Sequence, residues 1–389
     1  MNENIKRGLN MRILNEQILQ EQIERTILAD IQEGKVGGAA VAVMQNGNTV
    51  YQKCFSNEKM GIRVTDSTMF RLASMTKPIT TVAILILVDR GLLDLDMPVA
   101  KFVPEFSQMY IGEMCGDEVK IVSLAKTTIT IRHLLSHCSG LGSGPVGDFV
   151  RDKIPVSERT SLKKVTEYYS QNPLDFEPYT KQFYSGIHGF DVLARIIEIV
   201  SGMTFDKFLE KEIFIPLNMF DTTFAPTDEQ WNRMIPLHNY VDGSGIIAYF
   251  PEKTVFGGIP TSCCSGGSGL ASTLEDYKKF TDMLLHYGTV NGKQLVHEKL
   301  ICEMATPQLP RTIMGGDMIW GLGVRVIVSD HYADLPIGAY GWSGACGTHF
   351  WVDPKNNIVA IYMKNSIYDG GAGAKTARQF ERDVNAALQ

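Results

Sequence analysis

The chain has 389 residues, 44% of them apolar and 21% charged, the composition of a globular protein long enough for a large core and two lobes. Its net charge of -6 gives no basic footprint for nucleic acid. The longest apolar stretch, around Val82 to Val88, is far too short to cross a bilayer.

The first 35 residues contain no continuous apolar segment and no small-residue cleavage site of the kind that marks an export signal. Leu14, Ile18, Ile23, Ile27 and Ile31 recur near helical spacing, which predicts an amphipathic helix packed on the fold. "GGAAVAVMQNGNTVYQKCFS" then reads as two strands joined through Asn46-Gly47, a strong hairpin signal. A helix is expected to open at Ser74 and run through an apolar body to about Gly91. Pro78 fits there only because the first turn has backbone N–H groups without partners. From about 92 to 250 the pattern is mostly short helices and loops, with "TIRHLLSHCSGL" and "GFDVLARIIEIVSGMTFDKFLEKEIF" helix-like and each broken at Ser-Gly. Strand character returns in "WGLGVRVIVS", "GACGTHFWVDP" and "NIVAIYMKN". The simplest architecture is one sheet built from residues 1–91 and 251–389, faced by helices, with a mainly helical lobe inserted over 92–250.

The cysteines (Cys54, Cys115, Cys138, Cys263, Cys264, Cys302 and Cys346) are odd in number and contain no C-x-x-C pair, which fits a reducing cytoplasm better than a disulfide framework or zinc site. "HLLSH" places His133 and His137 one turn apart but lacks the glutamate of H-E-x-x-H and a third ligand, so ordinary helix residues are expected.

Ser-x-x-Lys occurs at Ser56, Ser74, Ser123 and Ser161, so context must choose. Ser56 ends a strand with no helix after it. Ser123 leads into "KTTITI", read as a strand that would send serine and lysine to opposite faces. Ser161 is accounted for as an N-cap with solvated lysines. Ser74 differs. A helix starting there puts Lys77 beside its hydroxyl, the helix N-terminus favours negative charge at the serine, and burial favours a neutral amine able to take a proton. On these residues alone, a nucleophile and a buried lysine paired with a carboxylate for structural reasons stand as equal alternatives. No G-x-S-x-G occurs, since "GGSGLA" and "GWSGAC" both miss the final glycine; this counts against an α/β-hydrolase elbow. A His-Asp-Ser triad stays open, because its members need not be near one another in sequence.

"FRLASMTKPIT" closely resembles the serine motif of the serine β-lactamase and penicillin-binding-protein superfamily, in its class C branch. "TIRHLLSHCSGL", "YSGIHGFDVLARIIEIVSGMTF", "PLNMFDTTF", "GGSGLASTLEDYKKF" and "GWSGACGTHFWVDP" resemble further blocks of that family in its order, so the likeness covers most of the chain. It implies an α+β, β-lactamase/DD-peptidase-like fold: an antiparallel sheet flanked by helices with an inserted helical lobe. It also implies Ser74 as nucleophile with Lys77. The family's Tyr-x-Asn motif aligns with Tyr184-Ser185-Gly186, keeping the phenol and losing the asparagine. Its Lys-Thr-Gly motif aligns with Trp342-Ser343-Gly344, so the cation that helps bind a β-lactam carboxylate is replaced by an indole wall. This combination looks like the family VIII carboxylesterases.

The resemblance therefore implies a serine hydrolase acting on small-molecule, short-chain esters by two-step acyl transfer, and the lack of an export signal together with the cysteine pattern makes a cytoplasmic location the expectation. Ser74, Lys77 and Tyr184 would be catalytic, with the backbone N–H groups of Ser74 and Ala345 as oxyanion hole. Trp342, Ser343, Gly344, Ser185 and Gly186 would line the substrate site. No metal, organic cofactor, nucleic acid or membrane span is implied, and the oligomeric state is not legible. The near rival is a β-lactamase or D-amino-acid-specific peptidase; a remoter one is a binding protein that kept the fold without catalysis. His133, His137 and Ser139 are expected to hold the framework, Gly266, Gly267 and Gly269 to let the chain turn near the cleft, and His188 and His349 to be structural or peripheral. Cys346 is expected to act as a small buried hydrophobe.

Overall fold

The structure, a computed structural model, describes residues 11–151, 154–241, 244–246, 261–367, 369 and 374–389. Helix α1 (Glu16–Gln32) is capped by the Asn15 side chain and buries Ile23 and Ile27 of the expected stripe together with Leu19, while Ile18 and Ile31 are half-buried. The hairpin β1 (Ala39–Gln45) and β2 (Asn48–Phe55) turns through Asn46 and Gly47 with φ of 54° and 75°, the left-handed pair a two-residue hairpin loop needs. Ser74 lies in a 3₁₀ turn, Ala73–Met75, and helix α2 (Thr76–Asp89) begins just after it. Every residue of α2 from Thr76 to Leu87 is buried, as befits a helix apolar on all sides.

Two expectations for the middle of the chain change. Strands β3 (Tyr110–Cys115) and β4 (Glu118–Leu124) form a hairpin within the stretch read as helices and loops, turning at Gly116 with φ 63°. "KTTITI" lies after that hairpin and outside its strands, and Thr130 within it caps a short helix, Ile131–Leu135; a polar-capped turn overrides its β-branched composition. Ser161 caps helix α3 (Leu162–Ser170), its Oγ accepting from Lys164 N–H at 3.2 Å. Helix α4 (His188–Ser201) stops at Gly202, φ 70°, and α5 (Leu274–Leu285) follows the glycine-rich loop. The segment "WGLGVRVIVS" is a hairpin edge rather than one strand: β5 (Met318–Trp320) and β6 (Arg325–Ile327) pair antiparallel across Gly321–Gly323. Strands β7 (Tyr340–Ser343), β8 (His349–Asp353) and β9 (Ile358–Lys364) precede helix α6 (Lys375–Ala386).

These strands make one antiparallel sheet in the order β5-β6-β7-β8-β9-β1-β2, joining the two ends of the chain. Alternation sorts its side chains. Ala39, Val41 and Val43 face α1 and α6 with Phe380 and Val384, while Ala40, Ala42 and Met44 join the main core with α2 and α5. The inner strand is covered on both faces and so reads as an unbroken apolar run. The sheet with its flanking helices matches the expected fold class. The proposed lobe boundary at 250/251 lies outside the described residues, as do residues 1–10.

Candidate active site

Four segments converge on Ser74. The hydroxyl sits at a half-buried position in an otherwise buried run, directly after Ala73, whose φ of 46° is a left-handed conformation that costs a non-glycine residue about 1 kcal/mol or more. Lys77 Nζ lies 3.1 Å from Ser74 Oγ and is fully buried. Its other partners are the carbonyl oxygens of Gly186 and Gly267, each at 2.7 Å. The carboxylate partner required by the structural alternative is not among them. Carbonyls only accept, so these two engage two N–H bonds of the nitrogen in either protonation state. The remaining tetrahedral position, lone pair or third proton, is left facing Ser74. The rings of Tyr184 and Phe190 lie 5.0 and 5.4 Å from the same nitrogen, which further suits a cation.

Tyr184, on the loop before α4, places its Oη 2.7 Å from Ser74 Oγ. The Trp342 indole donates its N–H to that same Oη at 3.3 Å. Trp342 is therefore more than the apolar wall expected from its position: it gives Tyr184 a hydrogen bond without adding charge. The turn after β7 is pressed against the chain just before the nucleophile. Thr348 Oγ1 donates to the Leu72 carbonyl at 3.0 Å, and a Cβ on Gly344 would come within 2.1 Å of that oxygen, so only glycine fits. Among the described residues, neither the N–H of Ser74 nor that of Ala345 donates to the protein, which leaves both available to a ligand oxygen.

Two expected contacts fall differently. The Ser185 hydroxyl is buried and donates to the Leu141 carbonyl at 2.8 Å. The Ser343 hydroxyl is buried 2.6 Å from His349 Nδ1, because alternation along β7 sends it to the face opposite Trp342. For both residues only the backbone remains to line the cleft. His349 in turn reaches Glu381 Oε1 at 2.9 Å, and Glu381 also binds Arg325 and, at 2.6 Å, Tyr332. Burial acts to raise the Glu381 carboxyl, but Arg325 and then His349 and Tyr332 hold it at about 2.

Several site residues escaped sequence reasoning. Trp320, on edge strand β5, stacks on Tyr184 with ring centres 5.5 Å apart and stands edge-on to Trp342 at 4.3 Å, so the three rings make one continuous aromatic surface. Gln182 holds it, accepting from Trp320 N–H at 3.1 Å and donating to its carbonyl at 3.4 Å. His137, assigned to the framework, lies beneath the site: its Nδ1 accepts from Ser185 N–H at 3.1 Å and its ring is 4.8 Å from Tyr184. Burial, followed by the charge of Lys77, keeps its pKa well below the usual histidine range, so the imidazole is neutral. No motif marks Trp320, because an edge-strand tryptophan far from Tyr184 in sequence meets it only through the fold.

Residues 20–382 match the family model described as Beta-lactamase. The chain belongs to the beta-lactamase family. As a member it is a serine hydrolase, with the Ser-x-x-Lys and Tyr motifs in the arrangement just described. It is 25% identical over 374 residues to esterase EstB of Burkholderia gladioli, covering 89% of this chain and 90% of that protein. It is 28% identical to the lovastatin esterase of Penicillium rubens, over 93% and 97% of the two chains. Among solved structures, EstCE1, described as a hydrolase with promiscuous acyltransferase activity, superposes with a TM-score of 0.79 at 22% identity, covering 95% of this chain and 99% of that one. That last likeness is one of fold. Among the described residues no helix is long and apolar enough to cross a membrane.

Proposed function

We propose that the protein is a carboxylesterase that forms an acyl-enzyme on Ser74 from neutral, short-chain esters. Ser74 Oγ attacks the ester carbonyl while its proton passes to the Tyr184–Lys77 pair. The backbone N–H groups of Ser74 and Ala345 receive the developing oxyanion. The same pair returns the proton to the leaving alkoxide, and water then attacks the acyl carbonyl, gives its proton to the pair, and releases the acid and Ser74. Two carbonyl cradles keep Lys77 aimed at Ser74 through both steps.

The observation that carries the ester reading is that Trp342, which by the resemblance takes the place of the family's third-motif lysine, donates a neutral hydrogen bond to Tyr184. A β-lactam would bring a carboxylate to an aromatic wall, and an unpaired buried charge costs several kcal/mol. An ester's acyl chain instead gains about 0.8 kcal/mol per buried CH₂ there. The names of EstB and the lovastatin esterase support the same class. The seven cysteines are free thiols, which supports work in a reducing compartment such as the cytoplasm. Measuring kcat/KM for p-nitrophenyl esters of graded length beside nitrocefin tests the proposal. Best turnover is expected for acyl chains of about two to six carbons, the range implied by the resemblance to family VIII carboxylesterases, with each CH₂ desolvated on the aromatic wall adding to binding. Efficient cephalosporin hydrolysis with poor ester turnover would overturn it.

A further inference from the structure

Asp191 is a buried carboxylate that the reaction above does not use. It lies in the first turn of α4 and is 1% exposed. Its oxygens accept from Ser265 Oγ at 2.6 Å, Tyr169 Oη at 3.1 Å and Gly267 N–H at 3.4 Å. None of these three donors is a cation, and burial pushes its pKa up to about 6 in spite of them. A protein holding a carboxylate in that position at neutral pH gives up stability, since a neutral side chain of the same shape would be cheaper to bury. The position of its partners shows what it does. Gly267 donates its N–H toward Asp191 and accepts from Lys77 Nζ through its carbonyl, while the preceding Gly266 carbonyl accepts from Thr80 Oγ1 at 2.8 Å. The loop is thus pinned from α2 on one side and from Asp191 on the other.

We propose that Asp191 is a positioning residue for catalysis: as a carboxylate it holds the Gly266–Gly267 segment, and through the Gly267 carbonyl it sets the direction in which Lys77 faces Ser74. The inference rests on the reading of Ser74 and Lys77 given above. Its negative charge also favours the ammonium that forms when Lys77 takes the serine proton; Asp191 itself stays ionised and takes no proton in the cycle. The groups facing it are Tyr169 from α3, Cys263 and Ser265 from the segment around Gly266, Lys77 from α2 and Arg159 from the segment before α3, while His188 of its own helix packs on Tyr169 at 4.1 Å. Protonating Asp191 replaces a charged acceptor by a neutral one, so Gly267 N–H is held more weakly and the aim of Lys77 loosens.

The test is Asp191→Asn, assayed on p-nitrophenyl butyrate across pH, with thermal unfolding in parallel. Ester kcat should fall roughly 10- to 100-fold, as it does when a supporting partner of a site group is lost, with KM little changed. The wild-type kcat should decline as pH drops through about 6, and the variant, with no charge to lose, should lack that step. Its Tm at neutral pH should equal or exceed the wild-type value, which a purely structural role would not produce. Tyr169→Phe removes one donor to the carboxylate and should move the acid limb to higher pH while preserving the high-pH kcat. Wild-type kcat with the same acid limb in Asp191→Asn would overturn the proposal, as would a loss of activity that only follows a loss of folded protein. If Asp191→Asn does not fold, an unmoved acid limb in Tyr169→Phe overturns it. Failure of the underlying reading looks different: a fluorophosphonate probe would then label Ser74→Ala as well as wild type.

Discussion

Replacing Lys77 with Met separates chemistry from folding. Methionine is close to lysine in length, is unbranched and adapts to an irregular channel. The substitution strands the carbonyls of Gly186 and Gly267, each bonded to Nζ at 2.7 Å, at a cost of about 1–3 kcal/mol apiece for an unmet buried acceptor. Against this, a fully buried polar nitrogen that carries a charge whenever it is protonated is removed, and that burial itself costs several kcal/mol. The two effects oppose each other, so net stability should stay within roughly 2 kcal/mol of wild type. Catalysis has no such offset. Losing the group 3.1 Å from Ser74 Oγ should lower kcat about 10²–10⁴-fold, or about 3–6 kcal/mol of barrier at about 1.4 kcal/mol per decade. The assay is kcat/KM on p-nitrophenyl butyrate, with the labelling rate by a fluorophosphonate probe reporting acylation alone and circular dichroism reporting the fold. A well-folded Lys77→Met retaining more than a tenth of wild-type kcat would refute the assignment of Lys77 as proton acceptor, and unfolding at the assay temperature would refute the stability argument.

Ser74→Ala should abolish ester hydrolysis with the fold intact while Ser161→Ala, which removes only an N-cap, keeps it; the reverse pattern in the same assay would move the site. Tyr184→Phe should cost about 10²–10⁴-fold in kcat, and combined with Lys77→Met the loss should fall far short of the product of the two, because both serve one proton path. Trp342→Lys should shift the ratio of kcat/KM values toward cephalosporins, weakly because Gly186 still offers no amide side chain; an unchanged ratio would show that the indole does not govern this choice. The Glu381 carboxyl is held at about 2 against an ordinary 4.5, so it contributes stability that is present above pH 4.5 and lost as pH falls from there toward 2. Glu381→Gln, which leaves Arg325 buried without its anion, should cost about 3–5 kcal/mol at neutral pH in denaturant unfolding, with the difference shrinking toward pH 2.

Local signals settled much on their own. The left-handed demand of Asn46-Gly47, the apolar stripe of α1 and the all-round apolar body of α2 depend on neighbours within a few residues, so hairpin and helices were legible. So was the pairing of Ser74 with Lys77, because one helical turn brings i and i+3 together wherever the helix is placed. The family blocks extended that to Tyr184 and Trp342. The β3–β4 hairpin was not legible, since its strands are largely exposed and show no clean alternation.

What the tertiary structure alone decided is the environment of those residues. The sequence could place a lysine in a buried helix, yet whether a carboxylate or two carbonyls met its nitrogen depended on Gly186 and Gly267, 109 and 190 positions away. It could count Ser185 and Ser343 into the site motifs, but which way their hydroxyls point follows from strand alternation and from partners across the fold, and both point elsewhere. Trp320 and Gln182 carry no motif at all, and Asp191 sits in a family block that assigns it no role. Short-range periodicity specifies an element, whereas a site is made by long-range contacts whose partners the chain does not announce in advance.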